Sequence, residues 1–129
     1  MSNSWQDHID HVTAKGVLAK ALYVIFTTPT GTLDALLPHL GEHLAYQKDL
    51  EARGITFAAG PFADDTETAW SGEGMIIVRA ASLVEATGIA QADPMHTSGV
   101  RRFRVRPWLL NEGSYTVTVR YSEPHRSIA

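Results

Sequence analysis

Two histidines four residues apart open the search for chemistry, in the stretch His39-Leu40-Gly41-Glu42-His43. On a helix this spacing places both imidazoles on one face. The H-x-x-E-H order is also a pattern of zinc metalloproteases, where a third ligand completes the metal site. No third ligand can be identified here, cysteine is absent, and 129 residues leave little room for a protease cleft. No metal is expected. The Asp7-His8 and Asp10-His11 pairs read as a polar helix face or tail.

His43 is left with proton transfer, the work an imidazole does near neutral pH. At about 100° per residue it lies roughly 80° from the centre of the apolar stripe of its helix, where a side chain can reach a cleft beside the core. His39 and Tyr46 share that border. A half-exposed histidine with no task is the plainer reading of the same placement.

Other polar residues carry two readings each. Asp93 before Pro94 is a turn residue by type. His96 and Ser98 follow in the same loop, either as ordinary loop chemistry or as a lining for a pocket. Arg102, Arg104 and Arg106 fall on one face of a strand at period two. They read as a solvated stripe paired with acids such as Glu85 or Asp64, or as a clamp for a substrate carboxylate or phenolate, which the guanidinium fork suits. No Gly-rich phosphate loop and no G-x-S-x-G elbow occurs, and Ser71-Gly72-Glu73-Gly74 fits a hairpin connection. Nothing points to a nucleotide or flavin, so no cofactor is expected.

The elements that must hold these residues follow from periodicity. Residues 1–17 form a tail or a short helix over 4–15, with Ser4 as N-cap, Asp7 behind it and Gly16 as a stop. Residues 18–27 read as a strand apolar on both faces. The main helix spans 33–53, kinked at Pro38, with Leu33, Leu36, Leu37, Leu40 and Leu44 as its apolar stripe and Gly54 at its end. A strand over 55–60, a polar loop over 61–74 and a strand over 75–80 come next. Ser82 and Glu85 form a capping box for a second helix, closed at Asp93-Pro94. A strand covers 100–106, a turn 111–114, and an alternating strand with one buried face 115–121. The order is β-α-β-β-α-β, the ferredoxin-like arrangement, with an extra C-terminal strand. Residues 18–129 form one α+β domain.

Composition bounds the rest. With 11 Lys+Arg against 14 Asp+Glu, net charge is −3, and no nucleic-acid partner or anionic membrane surface is expected. No apolar run approaches the ~18 residues of a membrane span. The absence of cysteine excludes disulfides and thiolate ligands and suits a reducing cytoplasm.

The landmarks together resemble the YCII-related (YciI-like) family. They are His43-Leu44-Ala45-Tyr46, Ala59-Gly60-Pro61, Asp93-Pro94, Gly99-Val100 and Val105-Arg106-Pro107-Trp108, spread over residues 18–109. The resemblance implies a dimeric α+β barrel of ferredoxin-like subunits with active-site residues at His43 and Asp93. Some relatives are dehydrochlorinases or resemble muconolactone isomerases. Relatives often carry Arg three residues before the helix His, where this chain has Leu40.

The function expected is a cofactor-independent lyase or isomerase for a small cyclic or aromatic molecule. His43 would be general base or acid and Asp93 its orienting carboxylate, with Tyr46, His39, His96, Ser98, Arg102 and Arg104 as candidate substrate contacts. The alternative is a non-catalytic dimeric ligand-binding or accessory protein. Two helices cover only one face of the sheet, while the first strand is apolar on both, so a homodimer joined by sheet faces is expected. Light scattering at micromolar concentration should return twice the chain mass. A monomer mass would overturn the expectation.

Overall fold

The computed structural model describes residues 3–122 and 125–129. In chain order its elements are α1 (Trp5–Ala14), β1 (Lys20–Pro29), a 3₁₀ helix (Leu33–His39), α2 (Leu40–Ala52), β2 (Thr56–Ala63), β3 (Trp70–Val78), α3 (Leu83–Gln91), α4 (Pro94–Thr97), β4 (Arg101–Leu110), β5 (Val117–Arg120) and β6 (His125–Ile128). Residues 21–109 make one compact unit, and residues 1–20 with 110–129 make another.

The larger unit holds an antiparallel sheet in the order β2-β3-β1-β4, the strand order of a ferredoxin-like α+β fold. The register sets its core. Tyr23 faces Val78 and Ile25 faces Ile76 across β1 and β3, which puts all four on one side of the sheet. Ile25, Ile76 and Val78 pack there with Ala86 and Ala90 of α3, and Phe103 and Val105 of β4 join from the flank. Burying each large aliphatic side chain contributes about 1.5–3 kcal/mol. β2 is mostly exposed and tolerates Pro61, which has no N–H to give, between two register shifts.

The other side of β1 corrects one step of the sequence reading. Leu22 and Val24 are already buried within the single chain, at 1% and 6% exposure, with Val24 opposite Ile77. At either end of this pair the same face opens, at Lys20 and at Phe26. Other boundaries move as well. β2 and β3 run into the expected loop, so that only residues 64–69 connect them, and Ser71 to Gly74 lie inside β3.

The expected single helix over 33–53 is two elements. Proline lacks the N–H that a continuous α-helix needs at Pro38, and the chain there winds as a 3₁₀ helix before α2 begins at Leu40. Three residues per turn and 3.6 residues per turn fall out of phase. The leucine stripe therefore splits: Leu36 is buried, whereas Leu33, Leu37, Leu40 and Leu44 stay 40–64% exposed.

The C-terminal end of α3 leaves carbonyls that need donors. The Tyr46 hydroxyl donates to the Ile89 carbonyl at 2.7 Å, and His96 Nδ1 donates to the Ala90 carbonyl at 2.6 Å. His96 Nε2 is then left to accept from the Thr27 hydroxyl at 2.8 Å, and the ring packs on Phe103 with centroids 4.7 Å apart. Burial lowers the pKa of His96, opposed by its bond to Ala90 and by the field of Asp93. The neutral Nδ1–H tautomer follows from these partners. Upstream, Ser82 caps α3 as expected, and Glu85 closes the box on the N–H of Ala81.

In the smaller unit, α1 starts on Ser4, whose hydroxyl accepts from the Asp7 N–H at 2.9 Å, and Gly16 follows it at a φ of +83°. The C-terminal strand is not the half-buried one expected over 115–121. β5 covers Val117–Arg120, pairs antiparallel with β6, and is exposed along its whole length. Residues 123–124 lie outside the described residues.

Ile25→Ala should cost about 2–5 kcal/mol in urea unfolding, while Val119→Ser should stay within about 0.5 kcal/mol. His96 supplies a pH test. Its folded value is depressed, so the unfolded chain binds the proton first as pH falls below about 6.5. Stability is lost across the window from there down through the folded value. His96→Gln should remove that slope and lower stability at pH 8, read from denaturation midpoints across the pH range.

Candidate functional site

One end of the larger unit holds a cavity of about 400 Å³. Its wall is mainly apolar, from Leu33, Leu36, Leu37, Leu40 and Leu44 on one side and Ala59 to Pro61 with Gly74 to Ile76 on the other. The leucines read from the sequence as core are therefore largely cavity wall. His43, Gln47, Thr27 and Arg101 are polar groups in this wall, and Glu73 stands at an exposed position on it.

Asp93 lies behind His43. It is 2% exposed and caps α4 by accepting from the Met95 N–H at 2.9 Å. The same carboxylate accepts from His43 Nδ1 at 2.7 and 3.0 Å to its two oxygens, and from Gln47 Nε2 at 3.1 Å. Burial pushes its pKa up, but the bonds from His43, Met95 and Gln47 outweigh this and hold it below the usual carboxylate range. An ionised carboxylate only accepts, so Nδ1 of His43 carries the hydrogen. Nε2 of His43 is given no partner by any described residue and belongs to a side chain in the cavity wall. An imidazole held in this way presents a basic nitrogen, and the carboxylate behind it stabilises the cation formed when a proton is taken.

The local sequence explains the placement. His43 and Gln47 are four apart on α2, so they meet the same carboxylate from successive turns. Tyr46 on that helix anchors it to the end of α3 through Ile89. Burial, then the field of Asp93, raises the pKa of Tyr46, which keeps it a donor.

The structure joins His43 and Asp93, but it does not bring the other sequence candidates into this cavity. Tyr46 and His96 serve the end of α3. Ser98 donates to the Met95 carbonyl at the end of α4. His39 ends the 3₁₀ helix and is not in the lining, and among the described residues no three His, Cys, Asp or Glu converge on a metal site. Arg102, Arg104 and Arg106 border a separate depression with Phe26 and Thr28. The acids proposed to pair with them are engaged elsewhere, Asp64 with Thr66 and Thr68 and Glu85 with Ala81.

Arg101 escaped the sequence reading. It is 9% exposed, donates from Nε to the Met95 sulfur at 3.2 Å and reaches the Gly72 carbonyl through Nη1. Gly72 sits at a φ of +87°, and a Cβ there would come within 2.5 Å of Pro29, so only glycine fits. A signal for Arg101 was present: residues 101, 103 and 105 are the inward phase of β4, and one of the three is charged. Gln47 gave none, because only the fold brings it to Asp93.

The family profile of the YCII-related domain matches residues 21–109. No curated protein matches the sequence. Among solved structures, the chain is similar to the 5-chloro-2-hydroxyhydroquinone dehydrochlorinase of Burkholderia phenoliruptrix AC1100, in complex with 2,5-dihydroxybenzoquinone, with a TM-score of 0.56 and 22% identity over 67% of this chain and 92% of that one. That likeness extends to the fold. No helix among the described residues is long and apolar enough to cross a membrane. The profile covers well over half of the sequence, including both His43 and Asp93, and the chain belongs to the YCII-related domain family.

Proposed function

We propose that this protein is a cofactor-independent lyase or isomerase that moves a proton on a small cyclic or aromatic molecule. The observation that carries the reading is the His43–Asp93 pair: Nδ1 is tied to a buried carboxylate at 2.7 Å, and the ring forms part of the wall of an apolar cavity. The solved structure of similar fold is a dehydrochlorinase of a chlorinated hydroxyhydroquinone, which supports an elimination on a ring of that size.

In this reading Nε2 takes a proton from a substrate carbon or hydroxyl. In an elimination, the electron pair of the broken C–H bond forms the new double bond, and the leaving group departs with its own bonding pair. In an isomerisation, the imidazolium returns the proton to another atom of the same molecule. Asp93 stabilises the imidazolium and keeps the ring oriented. Association as a homodimer belongs to the proposal, supported by the half-exposed Phe26 and Trp108 of the sheet strands.

Turnover is tested by screening chlorinated hydroxyaromatics for halide release and cyclic lactones for isomerisation. His43→Ala should lower kcat about 10²- to 10⁴-fold with the fold intact by circular dichroism. Asp93→Asn should cost less, because it removes orientation and charge but leaves the base. A fully active His43→Ala variant would overturn the assignment, and stoichiometric binding without turnover would make the protein a ligand binder.

A further inference from the structure

Arg101 is a cation almost removed from water in the wall of an apolar cavity. Among the described residues no carboxylate lies within ion-pair distance of it; the nearest electrostatic relief is the field of Asp93, which is already held by three donors. A guanidinium has five N–H donors. Here one is given to a thioether, a weak acceptor, and one to the Gly72 carbonyl. Burying a charge without a partner is costly, and a well-packed apolar side chain of similar volume is often as stable or more so. Folding alone gives no reason for arginine at this position.

We propose that Arg101 is the anion-binding residue of the site and that the substrate carries an oxyanion, a carboxylate, phenolate or enolate, on a small apolar ring. The proposal rests on the reading of this cavity as the substrate site and adds the charge class of what enters it. The leucine wall takes the ring, Arg101 takes the anionic oxygen, and His43 stands in the same wall for the proton. Met95 ties the two ends together: its sulfur accepts from Arg101, and its N–H donates to Asp93, which holds His43. The fixed contact to Gly72 aims the guanidinium before any ligand arrives, so little side-chain freedom is lost on binding. The stripe of Arg102, Arg104 and Arg106 takes no part, because it borders a different depression.

The test uses the full chain with two probes that share one ring, 4-nitrophenolate and its neutral methyl ether 4-nitroanisole. A charge-assisted bond in a cavity predicts that the phenolate binds about 10- to 100-fold more tightly than the ether, and that 4-nitrophenol titrates at lower pH when bound than when free. Arg101→Met should erase the preference without loss of thermal stability, and Arg101→Lys should keep part of it. Arg102→Gln should leave it unchanged. Equal binding of the two probes by the native chain, or failure to bind either at millimolar concentration, would overturn the proposal. So would an intact preference in Arg101→Met. If Arg101→Met does not fold, the titration of bound 4-nitrophenol in the native chain and in Arg101→Lys decides. A native chain that selects the anion through Arg101 yet shows no His43-dependent turnover would sink the proton-transfer reading and leave this one standing.

Discussion

The site depends on one buried carboxylate. Asp93 is almost fully removed from water, which is tolerable for an ionised group only if each lone pair finds a donor. Its donors come from two elements, His43 and Gln47 on α2 and the Met95 N–H at the start of α4. Three functions meet in this single group: it caps a helix too short to hold itself, docks α2 against that helix, and fixes the tautomer of the histidine in the cavity wall. A neutral or misplaced residue at 93 would disturb all of them together.

Around that carboxylate the electrostatics are ordered by depth. Burial favours the neutral ring of His96 against the opposing bond to the Ala90 carbonyl, and the ring does structural work at the end of α3. Arg101 keeps its charge at the opposite end of the Met95 bridge, with most of its donors uncommitted. The cavity wall beside Arg101 is mainly apolar, so any polar contact made inside is weakly screened and correspondingly strong. Two nearby histidines thus differ in whether the second ring nitrogen is already satisfied.

The smaller unit, residues 1–20 and 110–129 with α1 and the paired β5 and β6, lies wholly outside the stretch that the family profile matches. Tyr115, Val117, Val119 and Tyr121 are all more than half exposed. A two-stranded ribbon is marginal by itself in water. The alternation that identified this strand was real, but alternation reports a face suited to burial and not the surface that buries it.

The sequence by itself determined the order of strands and helices, the caps at Ser4 and Ser82, and the family, because these rest on local periodicity and on short motifs whose physics is contained in a few neighbouring residues. It also singled out His43 and Asp93, through the family resemblance. It misjudged the leucine stripe, because the phase break at Pro38 depends on how the first turns wind. Only the tertiary structure decided that Tyr46 and His96 serve the end of α3, that Gln47 and Met95 complete the Asp93 site, and that Arg101, not the neighbouring stripe, enters the cavity. Tyr46, Gln47 and His96 are 43 or more positions from the partners that define them, and Arg101 is 29 from Gly72. Such assignments depend on how the sheet and helices pack: the alternation of β4 marks Arg101 as inward, but not what it meets there.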